Sequence, residues 1–210
     1  MRPEFVNNNK ERLPFEHYLS VYQAADPLEI SARTGLPYDP EKGCFAVRFV
    51  GSDYTVSFPD FEITHMDGPD DSLSCGWAPA QILMLRYMTS GTFEKQYSGF
   101  AAYQDMPWGN VYYRQFYGRC ILRLAFAFNN REEKLAAAMK KLAAVPYEKG
   151  DMGWEFDFME GLKVRISIWN GDEEFQPSAQ ILFSDNFRHA FTAEDMAFVG
   201  DIFIRVLKAG

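Results

Sequence analysis

The chain has no G-x-x-x-x-G-K-[ST] loop, no G-x-G-x-x-G, no H-E-x-x-H, no G-x-S-x-G and no cysteines paired at zinc spacing. Their absence removes the most direct routes to nucleotide hydrolysis, dinucleotide binding, zinc proteolysis and serine hydrolysis. Cysteine is scarce: Cys44, Cys75 and Cys120 are far apart and odd in number. That excludes a disulfide framework and favours reduced thiols in a cytoplasmic protein. The three histidines, His17, His65 and His189, are not spaced as a metal pair, and no cofactor or metal is expected from them. Long apolar runs are missing too. The nearest, "CILRLAFAF", is too short for a bilayer and carries Arg123, so no membrane span is expected. "MRPEFVNNNKERLPF" at the start has no apolar core of the signal-peptide kind. Basic residues are outnumbered, with Lys+Arg 21 against Asp+Glu 29. That balance disfavours nucleic acid and anionic membrane surfaces, and favours a small ligand or a protein partner.

What is present suits one globular unit. The chain is 210 residues long and 47% hydrophobic, enough to bury a core without covalent staples. Its 19 phenylalanines are too many for one binding surface, so most must fill that core.

A helix is expected around Phe15–Ala25. A second begins at "DPLE", where Asp26 can cap, Pro27 suits the first helical position and Gly35 offers a left-handed stop. "CFAVRFVGSDYTVSF" alternates as a hairpin, with Phe45, Val47 and Phe49 returning as Tyr54, Val56 and Phe58 around a turn at Gly51–Asp53. "WAPAQILMLRYMTSG" reads as a buried helix, and 93–110 reads as a loop long enough to be functional, with Trp108 in it. From Tyr113 to Phe128, apolar residues at 113, 116, 117, 120, 121, 124 and 128 mark one face of a long helix. That face holds Cys120, expected to be buried and inert; Cys75 is the expected exposed thiol. A further helix is expected from an Asn130 cap. A second hairpin is expected over Trp154–Ile168 around Glu160-Gly161, then a strand at "AQILFS" and a terminal helix capped by Thr192.

Hairpins in place of βαβ crossovers predict an α+β fold: a mainly antiparallel sheet of two β-hairpins and a further strand, with helices packed against it as a single domain over 1–210. The stretches 38–90 and 147–207 look alike, each with a "YDPEKG" or "YEKGDMG" lead, a hairpin and a helix. Either they are a worn duplication, or half-buried hairpins simply resemble one another, and the second explanation suffices for the sequence.

Two groups carry candidate chemistry. Asp172, Glu173 and Glu174 follow Gly171 in a connection between strands. They are read first as a solvated turn, since adjacent carboxylates on extended chain point opposite ways. The competing reading is a metal-assisted enzyme in which the turn acts with His189 or Asp185. Arg114, Arg119 and Arg123, with Tyr112 nearby, form a basic stripe on the long helix. They could hold an anionic ligand or pair with the protein's own carboxylates.

"YTVSFPD", "WGNVYYRQF" and above all "WNGDEEFQPSAQILFSDNFRHAFTAED" resemble the prokaryotic domain-of-unknown-function family numbered 3786, over nearly the whole chain. Some members of that family are fused to a four-cysteine segment like that of corrinoid iron–sulfur proteins. The resemblance thus implies a link to corrinoid or one-carbon redox metabolism, with a corrinoid or methyl-transfer protein as the implied partner. It includes Trp169, Asp172, Glu173, Glu174 and Phe175 in its longest motif and supplies no catalytic residues. This chain lacks the four cysteines, so it would not carry such a cluster itself. The expected role is a cytoplasmic accessory or binding module.

Overall fold

The computed structural model describes residues 9–66 and 76–209; Cys75 lies outside them. Asn9–Ala24 form α1, which buries Phe15 and Tyr22. Pro27–Thr34 form α2, where the Leu28 N–H donates to Asp26 Oδ1 at 2.8 Å and Gly35 ends the helix at φ +71°. The chain then runs through β1 (Tyr38–Asp39), β2 (Cys44–Phe49), β3 (Ser52–Ser57) and β4 (Ile63–His65) to α3 (Ala78–Ser90).

The expected loop over 93–110 holds structure of its own. Phe100–Ala102 form an edge strand, β5, and Tyr103–Asp105 a single 3-10 turn. The long helix is interrupted. Gly109–Phe116 (α4) pass through a π turn at Tyr117–Leu122 into Arg123–Phe128 (α5). A π turn inserts one residue, which rotates the helix before it relative to the helix beyond it. Phe116, Cys120, Leu124 and Phe128 therefore stay buried at a spacing of four, while Tyr117, expected inside, is exposed. Glu132–Lys141 form α6, with Arg131 at the N-cap position in place of the expected Asn130 and no side-chain cap bond. Asn130 sits outside the helix at φ +52°, its N–H donating to Asn170 Oδ1 at 2.7 Å. The remainder is β6 (Val145–Pro146), β7 (Met152–Met159), β8 (Leu162–Trp169), β9 (Ser178–Ser184), a short helix α7 (Phe187–Ala190) and α8 (Ala193–Ala209).

One sheet joins both hairpins in the order β4-β3-β2-β7-β8-β9-β5, with β1 on β2 and β6 on β7, and every pairing is antiparallel. The seam is narrow. Phe49 pairs with Met159, the Val50 N–H donates to Phe158 O at 2.8 Å, and the Phe49 and Phe158 rings meet at 5.0 Å. At the other side, β5 pairs only with Leu182–Ser184, and among the described residues no strand pairs with Ser178–Ile181 on that flank.

Strand alternation decides the layers. Phe156, Val164, Ile166, Ile181 and Phe183 are buried, while Glu155, Asp157, Lys163 and Arg165 pair across the opposite face. The fold is thus α+β, with helices packed on a mostly antiparallel open sheet. The pattern on α8 is apolar nearly all round, which requires burial on most sides. It packs against α3, α4, the π turn, α5 and α6, and Phe203 meets Phe156 of the sheet at 5.4 Å.

Gly200 permits the closest of these approaches: a Cβ there would lie 2.5 Å from Cys120 Sγ and 3.2 Å from Cys120 Cβ. Gly200→Ala should cost about 1–3 kcal/mol by overpacking. In a double-mutant cycle with Cys120→Ala, chemical denaturation should show a favourable coupling as the lost sulfur relieves the clash. Additive effects would mean that the contact is not tight.

Candidate functional site

The segment around β5 is pinned on its N-terminal side and again beyond the strand. Ser98 donates through its N–H and Oγ to Asp185, the Oγ contact being 2.5 Å, and Asn186 Nδ2 donates to Glu94 O at 2.8 Å. Tyr103 stacks on Phe116 at 4.0 Å, and its hydroxyl donates to Ala193 O at 2.7 Å. Burial pushes that phenol up to about 12, so it stays protonated and a donor. Gly109 rests so close to the Tyr103 carbonyl that a Cβ would lie 1.8 Å from its oxygen, and its N–H donates to Met106 O at 2.9 Å. Between these last anchors Trp108 is held in the left-handed region at φ +64°, with 78% of the residue exposed.

Trp108 stands at the rim of a cleft of about 370 Å³. Its floor and walls are Met106 and Pro107 of the loop, Ser90 and Arg86 of α3, Arg188 and His189 of α7, and Thr192 and Met196 at the start of α8. Arg86 is held from two sides. Its Nε lies 2.9 Å from Asp195 Oδ1, and its guanidinium stands 5.4 Å from the centre of the Tyr18 ring. Asp195 in turn accepts from Thr192 N (3.0 Å) and Thr192 Oγ1 (2.7 Å), the reciprocal cap that starts α8. Arg188 donates through Nε to Asp185 O at 2.8 Å. The cleft is therefore lined by two guanidinium groups, an imidazole, the Asp195 carboxylate and a largely exposed indole.

Of the expected site residues, His189 lies in this cleft, whereas the acidic turn lies elsewhere. Asp172–Glu174 precede β9 and His189 comes after it. Seven residues of extended chain separate the two ends, about 20 Å at ~3.3 Å per residue. None of the three acidic residues lines the cleft that holds His189, and Asp185, the turn's other proposed partner, accepts from Ser98. Among the described residues no group of three or more His, Cys, Asp or Glu could hold a metal ion. Asp172 instead closes its own turn, accepting from Glu174 N (2.8 Å) and Phe175 N (2.7 Å) while its N–H donates to Phe175 O (2.9 Å). Glu173 and Glu174 are exposed. Trp169 lines a separate groove of about 270 Å³ with Tyr113, Tyr117 and Gln180.

The basic stripe is divided. Arg119 Nη2 and Arg123 Nη1 both bind Asp201, the second at 3.2 Å. Tyr112 and Arg114 stay exposed on α4. Cys120 is buried as expected, and burial pushes its thiol up to about 12. Sequence reasoning missed Arg86, Arg188 and Asp195. One signal was available for Arg86: a cation inside the apolar run "ILMLRYM" must reach water or a carboxylate.

The Phe175 and Glu174 amides hold the Asp172 carboxyl below the usual carboxylate range. A depressed folded value stabilises the protein above about pH 4, and the contribution is lost as pH falls through that value. Asn can accept the same bonds without titrating. Thermal melts should find Asp172→Asn close to wild type at pH 7 with a shallower loss below pH 4, and Asp172→Ala less stable at pH 7. A binding role for this carboxylate in place of a turn role would leave Asp172→Ala as stable as wild type.

No curated protein and no solved structure matches the chain. Residues 26–206, from the α2 cap into the last turns of α8, match one family, and the chain belongs to it: the domain of unknown function family DUF3786.

Proposed function

We propose that this protein is a binding module, without catalytic machinery of its own, that holds a small organic ligand with a flat face and an acceptor-rich end in the cleft at Trp108. One observation carries the reading. Trp108 is fixed in a backbone conformation unfavourable for a bulky residue, yet its indole packs on little. Strain that the surroundings impose without a packing return is found where a side chain serves a ligand. The indole supplies the face, and Arg188 and His189 supply donors. A volume of about 370 Å³ lies at the lower end of small-molecule sites.

The order of elements supports a placement for this cleft. A short lead strand, a three-stranded meander and a helix occur twice, as β1-β2-β3-β4-α3 and as β6-β7-β8-β9 with α8 after it. Each lead strand leaves through "EKG", with Gly43 at φ +62° and Gly150 at φ +75°. The sheet order is symmetric about the β2–β7 seam. This favours the worn duplication over chance likeness, and α3 and α8, the matching helices, both line the cleft. The ligand then sits between two repeats, a common location for such sites.

The family resemblance adds a setting: a cytoplasmic accessory protein beside a corrinoid or methyl-transfer protein. A corrinoid macrocycle exceeds the cleft, so that link runs through a protein partner.

Nicotinate, 4-hydroxybenzoate and adenosine are suitable probes. At least one should raise the melting temperature by mass action and change the fluorescence of Trp108. Trp108→Ala should abolish the shift while leaving the melting temperature of the free protein nearly unchanged, and His189→Ala should weaken it. No shift with any probe, or a shift that survives Trp108→Ala, would count against the reading.

A further inference from the structure

The molecule is acidic overall, yet one surface cleft is lined by cations and, among the described residues, by no carboxylate. Arg123, Arg131, Lys134 and Lys208 surround a volume of about 370 Å³ together with Phe126, Ala127 and Phe128. Three elements bring them together: Arg123 opens α5, Arg131 and Lys134 flank the start of α6, and Lys208 ends α8. Arg123 shares Asp201 with Arg119, so one carboxylate serves two guanidinium groups. Arg131, Lys134 and Lys208 take part in no ion pair among the described residues. Their contacts are long hydrogen bonds to helix-end carbonyls, Arg131 Nη1 to Ala127 O at 3.3 Å and Lys134 Nζ to Lys208 O at 3.4 Å. Two acids lie between Arg131 and Lys134 in sequence, Glu132, which accepts from Asn170 Nδ2 at 2.7 Å, and the exposed Glu133; neither lines the cleft.

Helix C-termini attract cations, and that accounts for part of the arrangement, at roughly half a unit of negative charge per helix end. It does not account for four cations around one opening, three of them outside any ion pair among the described residues. Nor does it account for Phe126, which is 52% exposed among them. Positive groups converging on an open space, with a ring beside them, form a site for a phosphoryl group attached to a planar moiety.

We infer that this cleft binds a phosphate-bearing small molecule of the nucleotide class. Arg131, Lys134 and Lys208 take the phosphoryl oxygens, Arg123 adds its remaining donors, and Phe126 meets the ring. The inference stands apart from the Trp108 cleft, since the two share no lining residue.

Isothermal titration of the full chain with inorganic pyrophosphate and with ADP tests it. Both should bind, and both should weaken as salt rises. The exposed pair Lys134→Gln/Lys208→Gln, which removes no buried group, should weaken both by roughly tenfold or more, the worth of one charge-assisted hydrogen bond. Phe126→Ala should weaken ADP and leave pyrophosphate unchanged. Trp108→Ala should leave both unchanged, which separates this site from the other. Absence of binding at low salt, or equal affinity in the double lysine variant, overturns the inference. So does binding confined to DNA or to phosphatidylglycerol vesicles, with none to ADP. An unchanged ADP affinity in Phe126→Ala overturns the ring contact.

Discussion

A helix surrounded on nearly every side cannot carry a carboxylate inward unless cations meet it. That constraint orders the helical layer. Asp201 is 5% exposed in the middle of α8, and Arg119 and Arg123 reach it from either side of the π turn's end. The π turn and Gly200 together let the α4–α5 segment come close enough for those bonds to form. The same docking holds Phe116 under Tyr103, which in turn fixes the loop bearing Trp108. A single buried charge is thus connected, contact by contact, to the conformation of an exposed indole some way across the molecule.

The two hairpins meet through little more than one residue pair and one further backbone bond, yet they make one sheet. What secures the seam is the layer above it: rings at Phe49, Phe158, Phe187 and Phe191 pack in sequence from the sheet toward α7. α7 carries Arg188 and His189, so the polar end of the cleft is mounted on the aromatic stack that holds the two halves together. Phe191 belongs to both, since it also lines the cleft.

Much of the fold could be read from the chain because its signals were local and redundant. Asp26 with Pro27 and Gly35, the alternation around Gly51 and around Gly161, and the Thr192 cap each name an element and its boundary. The edge strand β5 could not be read, because three residues in "FAA" carry no period. The π turn was invisible for another reason: it leaves no mark in composition and shows only in Tyr117, which turns outward while Cys120 stays inside. The candidate site was legible only in parts. His189, Trp108 and the 93–110 loop were each singled out, but nothing along the chain associates them with Arg86, which arrives from α3. The acidic turn and His189 flank β9 in sequence, but an extended strand carries its two ends apart, so nearness along the chain says little about nearness in space. Arg131, Lys134 and Lys208 come from two helices far apart in the chain, and local charge patterning could not join them.

The half-paired flank of β9 has a consequence for how this protein behaves in crowded solution. Backbone left open along a strand is a template on which a second chain can grow. Here the open stretch is only Ser178–Ile181, and Tyr113, Tyr117 and Trp169 wall the groove beside it. An incoming strand would have to displace aromatic rings to gain very few hydrogen bonds. A sheet that ends midway along its own strand is thus shielded by rings, one of which, Tyr113, also packs against the core.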